Sequence, residues 1–176
     1  MSKVPINKDG LLEHLLKEFD RRLRQLERTS TKVSLAAVVR QNAELALTNT
    51  AYAALAAAES GFGNLPNFKA LWDSGLRPEF MLTANLVNNT PAAVTRLSYS
   101  VTQYNDGEAA TALLAAADEN SVFVTGTSAL WTQSAWFAPS MSDPTKSHGL
   151  VQLEGRVSAG TGTFAGGVVR TRWVLE

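Results

Sequence analysis

The sequence predicts a mainly β protein, an antiparallel jelly-roll β-sandwich preceded by an N-terminal coiled-coil α-helix. Three observations carry that reading. Apolar and polar residues alternate along several segments between residues 80 and 175, the pattern of strands with one wet face and so of antiparallel sheets. Clusters of turn-forming residues separate them, at "VNNTPA", "YNDGE", "ADENS", "SDPTKSHG" and "AGTGTFAGG",. A heptad pattern is confined to the beginning of the chain,. One helical segment followed by roughly eight strands favours two packed sheets, and a jelly roll fits that count.

The helix comes first, in "GLLEHLLKEFDRRLRQLERTS" (10–30). Asp9 is placed to cap it and Glu13 sits in its first turn, both favourable at the positive end of the helix dipole. Leu12, Leu16, Phe19, Leu23 and Leu26 recur at alternating spacings of four and three, a coiled-coil repeat. With Leu16 and Leu23 at a, the g position holds Arg22 and the following e position Glu27. A parallel bundle sets those two against each other, whereas an antiparallel pair would bring acidic e positions together. Leu15 at g widens the apolar face, which points to three chains. A helix this short is marginal alone in water, so a partner is expected to hold it. The competing reading is an amphipathic helix folded onto its own domain.

The strands follow. "EFMLTANLV" sets Phe80, Leu82, Ala84 and Leu86 against Met81, Thr83 and Asn85. "RLSYSVTQY" sets Leu97, Tyr99 and Val101 against Arg96, Ser98, Ser100 and Thr102. "LVQLEGRVS" buries Val151, Leu153 and Val157, and "VVRTRWVLE" turns Val169, Thr171, Trp173 and Leu175 away from Arg170 and Arg172. Further strands are expected at 44–55, 121–130 and 133–140. The alanine-rich stretches 54–60 and 108–118 fit either helix or strand. Residues 61–78 read as a long loop with a helical turn around Phe68–Trp72, and 159–167 as a hairpin loop.

Charge marks the domain boundary. The 176 residues have formal net charge zero, which gives no reason to expect nucleic acid or an anionic membrane as partner. Residues 1–34 hold 8 Lys/Arg and 5 Asp/Glu, and the remainder 8 and 11. The division is therefore 1–34, a helical anchor, and 35–176, the sandwich head. Cysteine is absent, which excludes disulfides and thiolate metal sites. Glu13, Lys17, Asp20 and Arg21 interrupt any signal-peptide-like apolar run, and no segment is long and apolar enough to span a bilayer,. A soluble protein without membrane insertion is expected.

Chemistry is sparse. The histidines are His14, on the outer face of the heptad, and His148, in a turn. No metalloprotease helix, phosphate-binding loop or nucleophile elbow occurs,. Asp106/Glu108 and Asp118/Glu119 lie in turns, where solvated carboxylates are ordinary, so the facing pair that glycoside hydrolysis needs is not evident. No catalytic residue, cofactor or metal is expected. The aromatics Trp72, Tyr104, Trp131 and Trp136 are candidate contacts to a receptor or partner protein. Packing in the core or between subunits is the plainer reading.

A resemblance adds to this. The heptad helix, "LTNTAYAAL", "RLSYSVTQYNDG" and above all "HGLVQLEGRVSAGTGTFAGGVVRTRWVLE" resemble minor tail proteins of tailed phages of actinobacteria. The likeness covers about residues 80–176, and 44–60 more thinly. The stretch "ESGFGNLPNFKALWDSGLRP" has no counterpart in it. The resemblance implies a coiled coil followed by a trimeric jelly-roll head in the tail tip or fibre. It also implies a virion location after synthesis in the host cytoplasm, and a part in host adsorption or tail assembly. Leu12, Leu16, Phe19, Leu23, Leu26, Arg22 and Glu27 would hold the homotrimer. The helix would dock on other virion proteins, and the head would meet a host-surface glycan or protein. A capsid decoration or head-fibre protein is the alternative, and a glycan-degrading enzyme the third reading.

Overall fold

The computed structural model describes residues 16–22, 32–33, 39–41, 44–55 and 62–176. Residues 16–22 are helical (α1). Five short strands follow: β1 (Lys32–Val33), β2 (Val39–Gln41), β3 (Leu45–Leu47), β4 (Ala53–Ala54) and β5 (Phe62–Leu65). Next come α2 (Phe68–Asp73), β6 (Leu76–Asn88), β7 (Thr95–Tyr104), β8 (Thr111–Leu114) and β9 (Val122–Val124). The chain closes with β10 (Leu130–Gln133), β11 (His148–Val157) and β12 (Gly162–Leu175).

These strands form two antiparallel sheets. In the first, β12 pairs along its whole length with β6, β6 pairs with β10, and β1, β2 and β3 pair in turn with the other flank of β12. In the second, β11 pairs with β7 throughout, β4 and β5 share the far flank of β11, and β8 and β9 share the far flank of β7. Each group of short strands behaves as one interrupted strand. Merged in this way, the sheets have the order 1-8-3-6 and 2-7-4-5, the two Greek keys of a jelly roll. The predicted mainly β, antiparallel jelly-roll sandwich is the observed one.

The core lies between the sheets and comes from the inward positions of the four long strands. Phe80, Leu82, Ala84 and Leu86 of β6 and Phe164, Val169 and Trp173 of β12 face Leu97, Tyr99 and Val101 of β7 and Val151, Leu153 and Val157 of β11. The alternation read from these segments is therefore the in–out pattern of the sandwich. A bulge between Phe164 and Gly166 resets the β12–β6 register,.

Several local expectations are corrected. Residues 62–78 are β5, α2 and the start of β6, with the helical turn as expected but no long loop. Within 108–118, which fits either helix or strand by sequence, the regular element is the strand β8. The segment 121–130 forms only the three-residue β9 before β10 begins. Past Gln133, the run 134–140 is no regular strand: Ser134 N–H donates to the Leu82 carbonyl at 2.9 Å, Ser134 Oγ accepts the Leu82 N–H at 3.0 Å, and Phe137 bridges Phe80. Strand β12 starts at Gly162, so most of the glycine-rich 159–167 is sheet. Ser98 and Ser100 are buried, not wet; the turn after β8 folds over Ser98, whose Oγ donates to Asn120 Oδ1 at 2.7 Å, and Asn120 Nδ2 donates to the Tyr99 carbonyl at 3.0 Å.

Candidate functional site

One end of the sandwich gathers three segments, 62–78, 104–108 and 139–149. Helix α2 begins after Asn67, whose left-handed backbone (φ 56°) turns the chain. Phe68 and Trp72 are four residues apart, so both rings share one helix face. That face closes the end of the core, with Phe68 edge-on to Trp173 at 5.2 Å between centroids. Trp72 is consequently buried. Its Nε1–H donates to Asp143 Oδ1 at 2.9 Å, and the Arg77 guanidinium covers its ring at 4.3 Å. Trp72 is an anchor for the 139–149 loop, in keeping with packing as the plainer reading of these aromatics.

The other two loops are tied to each other. Gln103 Oε1 accepts the backbone N–H of Thr145 at 2.7 Å and of Lys146 at 2.9 Å. Asn105 Oδ1 accepts the N–H of Ser147 at 2.9 Å. Lys146 Nζ donates to the Ala109 carbonyl and lies 3.3 Å from Glu108. Tyr104 and His148 stand opposite each other on β7 and β11, with ring centroids 5.2 Å apart. The Tyr104 hydroxyl donates to Asn64 Oδ1 at 3.4 Å, and His148 Nε2 lies 3.9 Å from Asp106. Tyr104 is thus half-buried in a patch offering an aromatic face, an imidazole, an amide and a carboxylate, groups suited to stacking and hydrogen bonding with a polar ligand.

Trp131 and Trp136 are elsewhere, on the outer face of the first sheet. Trp131 of β10 is opposite Asn85 and 61 % exposed. Trp136 is half-buried beneath the Arg172 guanidinium at 4.3 Å, and Arg172 is paired with Glu79. The four aromatics therefore do not form one site.

On α1, Leu16 and Phe19 are 60 % and 64 % exposed. Arg22 Nε donates to Glu18 Oε1 at 3.1 Å, and Arg21 Nη2 reaches the same oxygen at 2.7 Å. Hydrogen bonds from Arg21 and then Arg22 hold the Glu18 carboxyl down at about 2. Leu12, Leu23, Leu26 and Glu27 lie outside the described residues, and with them the Arg22–Glu27 pairing.

Sequence reasoning missed a polar cluster on the outer face of the second sheet. Arg156 Nη2 donates to both Asp118 oxygens at 2.7 Å, and the Tyr52 hydroxyl donates to Asp118 Oδ1 at 2.8 Å. Arg96 Nε lies 3.7 Å from Asp118 Oδ2. The Arg156 and Tyr52 hydrogen bonds lower the Asp118 pKa, while burial raises that of Tyr52. The partners are 38 and 66 residues from Asp118, so only strand register brings them together. A separate cleft of about 190 Å³ between β3 and β4 is lined by Leu45, Leu47, Ala53, Leu55 and Gly155. Among the described residues its lining holds no titratable group. Among the described residues no group of three His, Cys, Asp or Glu could hold a metal ion, and no helix is long and apolar enough to cross a membrane.

No protein family and no curated protein matches the chain in sequence. Among solved structures, a chain in the structure of infectious bursal disease virus, Gt strain, is similar at 11 % identity with a TM-score of 0.41, covering 78 % of this chain and 33 % of that one. A chain from the Gx strain is similar at 10 % identity and TM-score 0.38, covering 82 % and 32 %. The protein spans about a third of the length of these viral chains.

Proposed function

We propose that the protein is a non-enzymatic structural component of a phage virion, a parallel homotrimer with a helical anchor and a jelly-roll head. Its place is the tail tip or fibre, where it serves host adsorption or tail assembly. The observation that carries this reading is the coincidence of resemblance and architecture. Residues 148–176, which look most like actinobacterial phage minor tail proteins, are β11 and β12, the inner strands around which both sheets are built. The carboxylates of the head support a structural role: Asp118 bridges arginines, Glu108 pairs with Lys146 and Asp143 holds Trp72. Three heads on one stalk would make weak contacts, such as stacking on Tyr104, act together.

The test is immunogold labelling of purified virions with antibody to the head. Gold at the tail tip is the expected result. Gold over the capsid would replace the tail reading with the decoration reading, and absence of the protein from purified particles would overturn both. Release of reducing ends from host cell-wall polysaccharide by the purified protein would overturn the non-enzymatic reading.

A further inference from the structure

The side of the sandwich built by β8, β9 and β10 is an open edge of both sheets. Among the described strands β10 pairs with β6 alone, and β8 and β9 with β7. Strands β9 and β10 also touch across the sandwich. In residues 109–142, which build this side, the charged residues are Asp118 and Glu119, although Asp, Glu, Lys and Arg make up 18 % of the chain. Asp118 is already engaged by Arg156 and Tyr52. Large apolar side chains stand out from the edge: Leu130 is 56 % and Trp131 61 % exposed, while Phe123, also exposed, lies on the second sheet's outer face with the Arg96 guanidinium 4.8 Å over its ring.

Soluble proteins guard open edges with lysine, proline or a bulge that prevents further pairing. Strand β10 reads "LWTQ" and carries neither lysine nor proline. Loss of charge together with exposed aromatics is the compositional mark of an interface core. The outward positions of the long strands are different, carrying Glu79, Arg96, Glu154, Arg156, Arg170 and Arg172. The charge-poor surface around Leu130 and Trp131, pressed against those faces, would desolvate charges without pairing them. Within this chain, its complement is the same surface on neighbouring copies, which a three-fold axis brings together along its length.

We infer that the β8–β9–β10 edge, centred on Trp131, is the surface through which one head meets the head of a second copy, the edges facing a common axis. This rests on the trimer proposed above and assigns its head contact.

The absence of cysteine makes a direct test available on the full chain. Trp131→Cys puts one thiol on the edge, and Arg170→Cys puts one on the exposed charged face of the same sheet. Both positions are exposed, and thermal midpoints close to wild type would confirm intact folding. Wild-type mass is read by light scattering, and each variant is oxidised at micromolar concentration and followed on non-reducing gels. A trimer in which Trp131→Cys forms disulfide-linked dimers about tenfold faster than Arg170→Cys supports the inference, because facing thiols have a high effective concentration. A trimer with equal rates overturns it and leaves the trimer standing. A wild-type monomer overturns the inference and the trimer together.

Discussion

Arg96 and Arg156 stand directly opposite each other on β7 and β11, with the Asp118 carboxylate between their guanidiniums. Like charges facing across a strand pair repel, so Asp118 neutralises a conflict that the sheet register creates. Hydrogen bonding by Arg156, then Tyr52, lowers the Asp118 pKa below its ordinary carboxylate value. A depressed folded value contributes stability above the unfolded pKa, near 4, and loses it as pH falls through the folded one. The Asp118 side chain is 52 % exposed, so solvent screening holds the effect to about 1 kcal/mol or less. Asp118→Asn should therefore melt about 2–4 °C below wild type from pH 5 to 8. That gap should close on acidification below pH 4, as scanning calorimetry across the range would show. A constant gap would mean that packing, not charge, is what Asp118 supplies.

Tyr99 supports a prediction of opposite sign. Its ring lies 5.1 Å from that of Phe80 in the core, and its hydroxyl is buried with no hydrogen-bond partner among the described residues. Burial pushes the phenol pKa up, favouring the neutral form. A buried hydroxyl without a partner costs on the order of 1–3 kcal/mol. Tyr99→Phe removes that cost and keeps the ring, so its midpoint in urea should rise. A fall would show that the hydroxyl is satisfied from outside the described residues.

What is legible in the sequence depends on distance along the chain. Alternation in β6, β7, β11 and β12 is a local property, so it assigns Leu82, Leu97, Leu153 and Val169 to the core, and all four are buried there. Alternation does not report what folds over a sheet. It places Ser98 and Ser100 in water, although Asn120 and its turn cover Ser98. Trp72 escapes pattern reading for a related reason. Its i, i+4 partner Phe68 is visible in the sequence, but Trp173, against which Phe68 packs, lies about a hundred residues away. The loop cluster around Gln103, Asn105 and Lys146 depends on contacts across some forty residues. Turn residues mark each of those loops and carry no signal of which loops meet.

Gly149 tests how tightly α2 is seated. A Cβ there would meet Phe68 Cδ2 at 2.9 Å and Leu65 Cβ at 3.3 Å. Phe68 is fully buried against Trp72 and Trp173 and has nowhere to move. Gly149→Ala should destabilise by about 1–3 kcal/mol through overpacking. Phe68→Leu beside it should restore part of that loss, since neighbours sharing a contact are non-additive. Denaturant midpoints of the two single variants and the double variant measure the coupling. Strict additivity would mean that the helix shifts as a body and the contact is soft.

The helix is tested by the two exposed apolar residues of α1. Leu16 and Phe19 stand well out of the single chain, so replacing them does nothing to the core of the head. In a parallel bundle they occupy a and d positions, where an aspartate would be buried without a partner, at a cost of several kcal/mol per site. Leu16→Asp with Phe19→Asp should therefore leave the thermal midpoint of a diluted, dissociated head unchanged while reducing oligomer mass. Light scattering of the wild type should give about 57 kDa, three times the 18.9 kDa chain, the closed symmetric assembly. The double variant should approach the mass of one chain at low micromolar concentration and reassociate only at higher concentration, where the weaker head contacts act alone. An undiminished trimer in the variant would transfer the whole of the association from the helix to the heads.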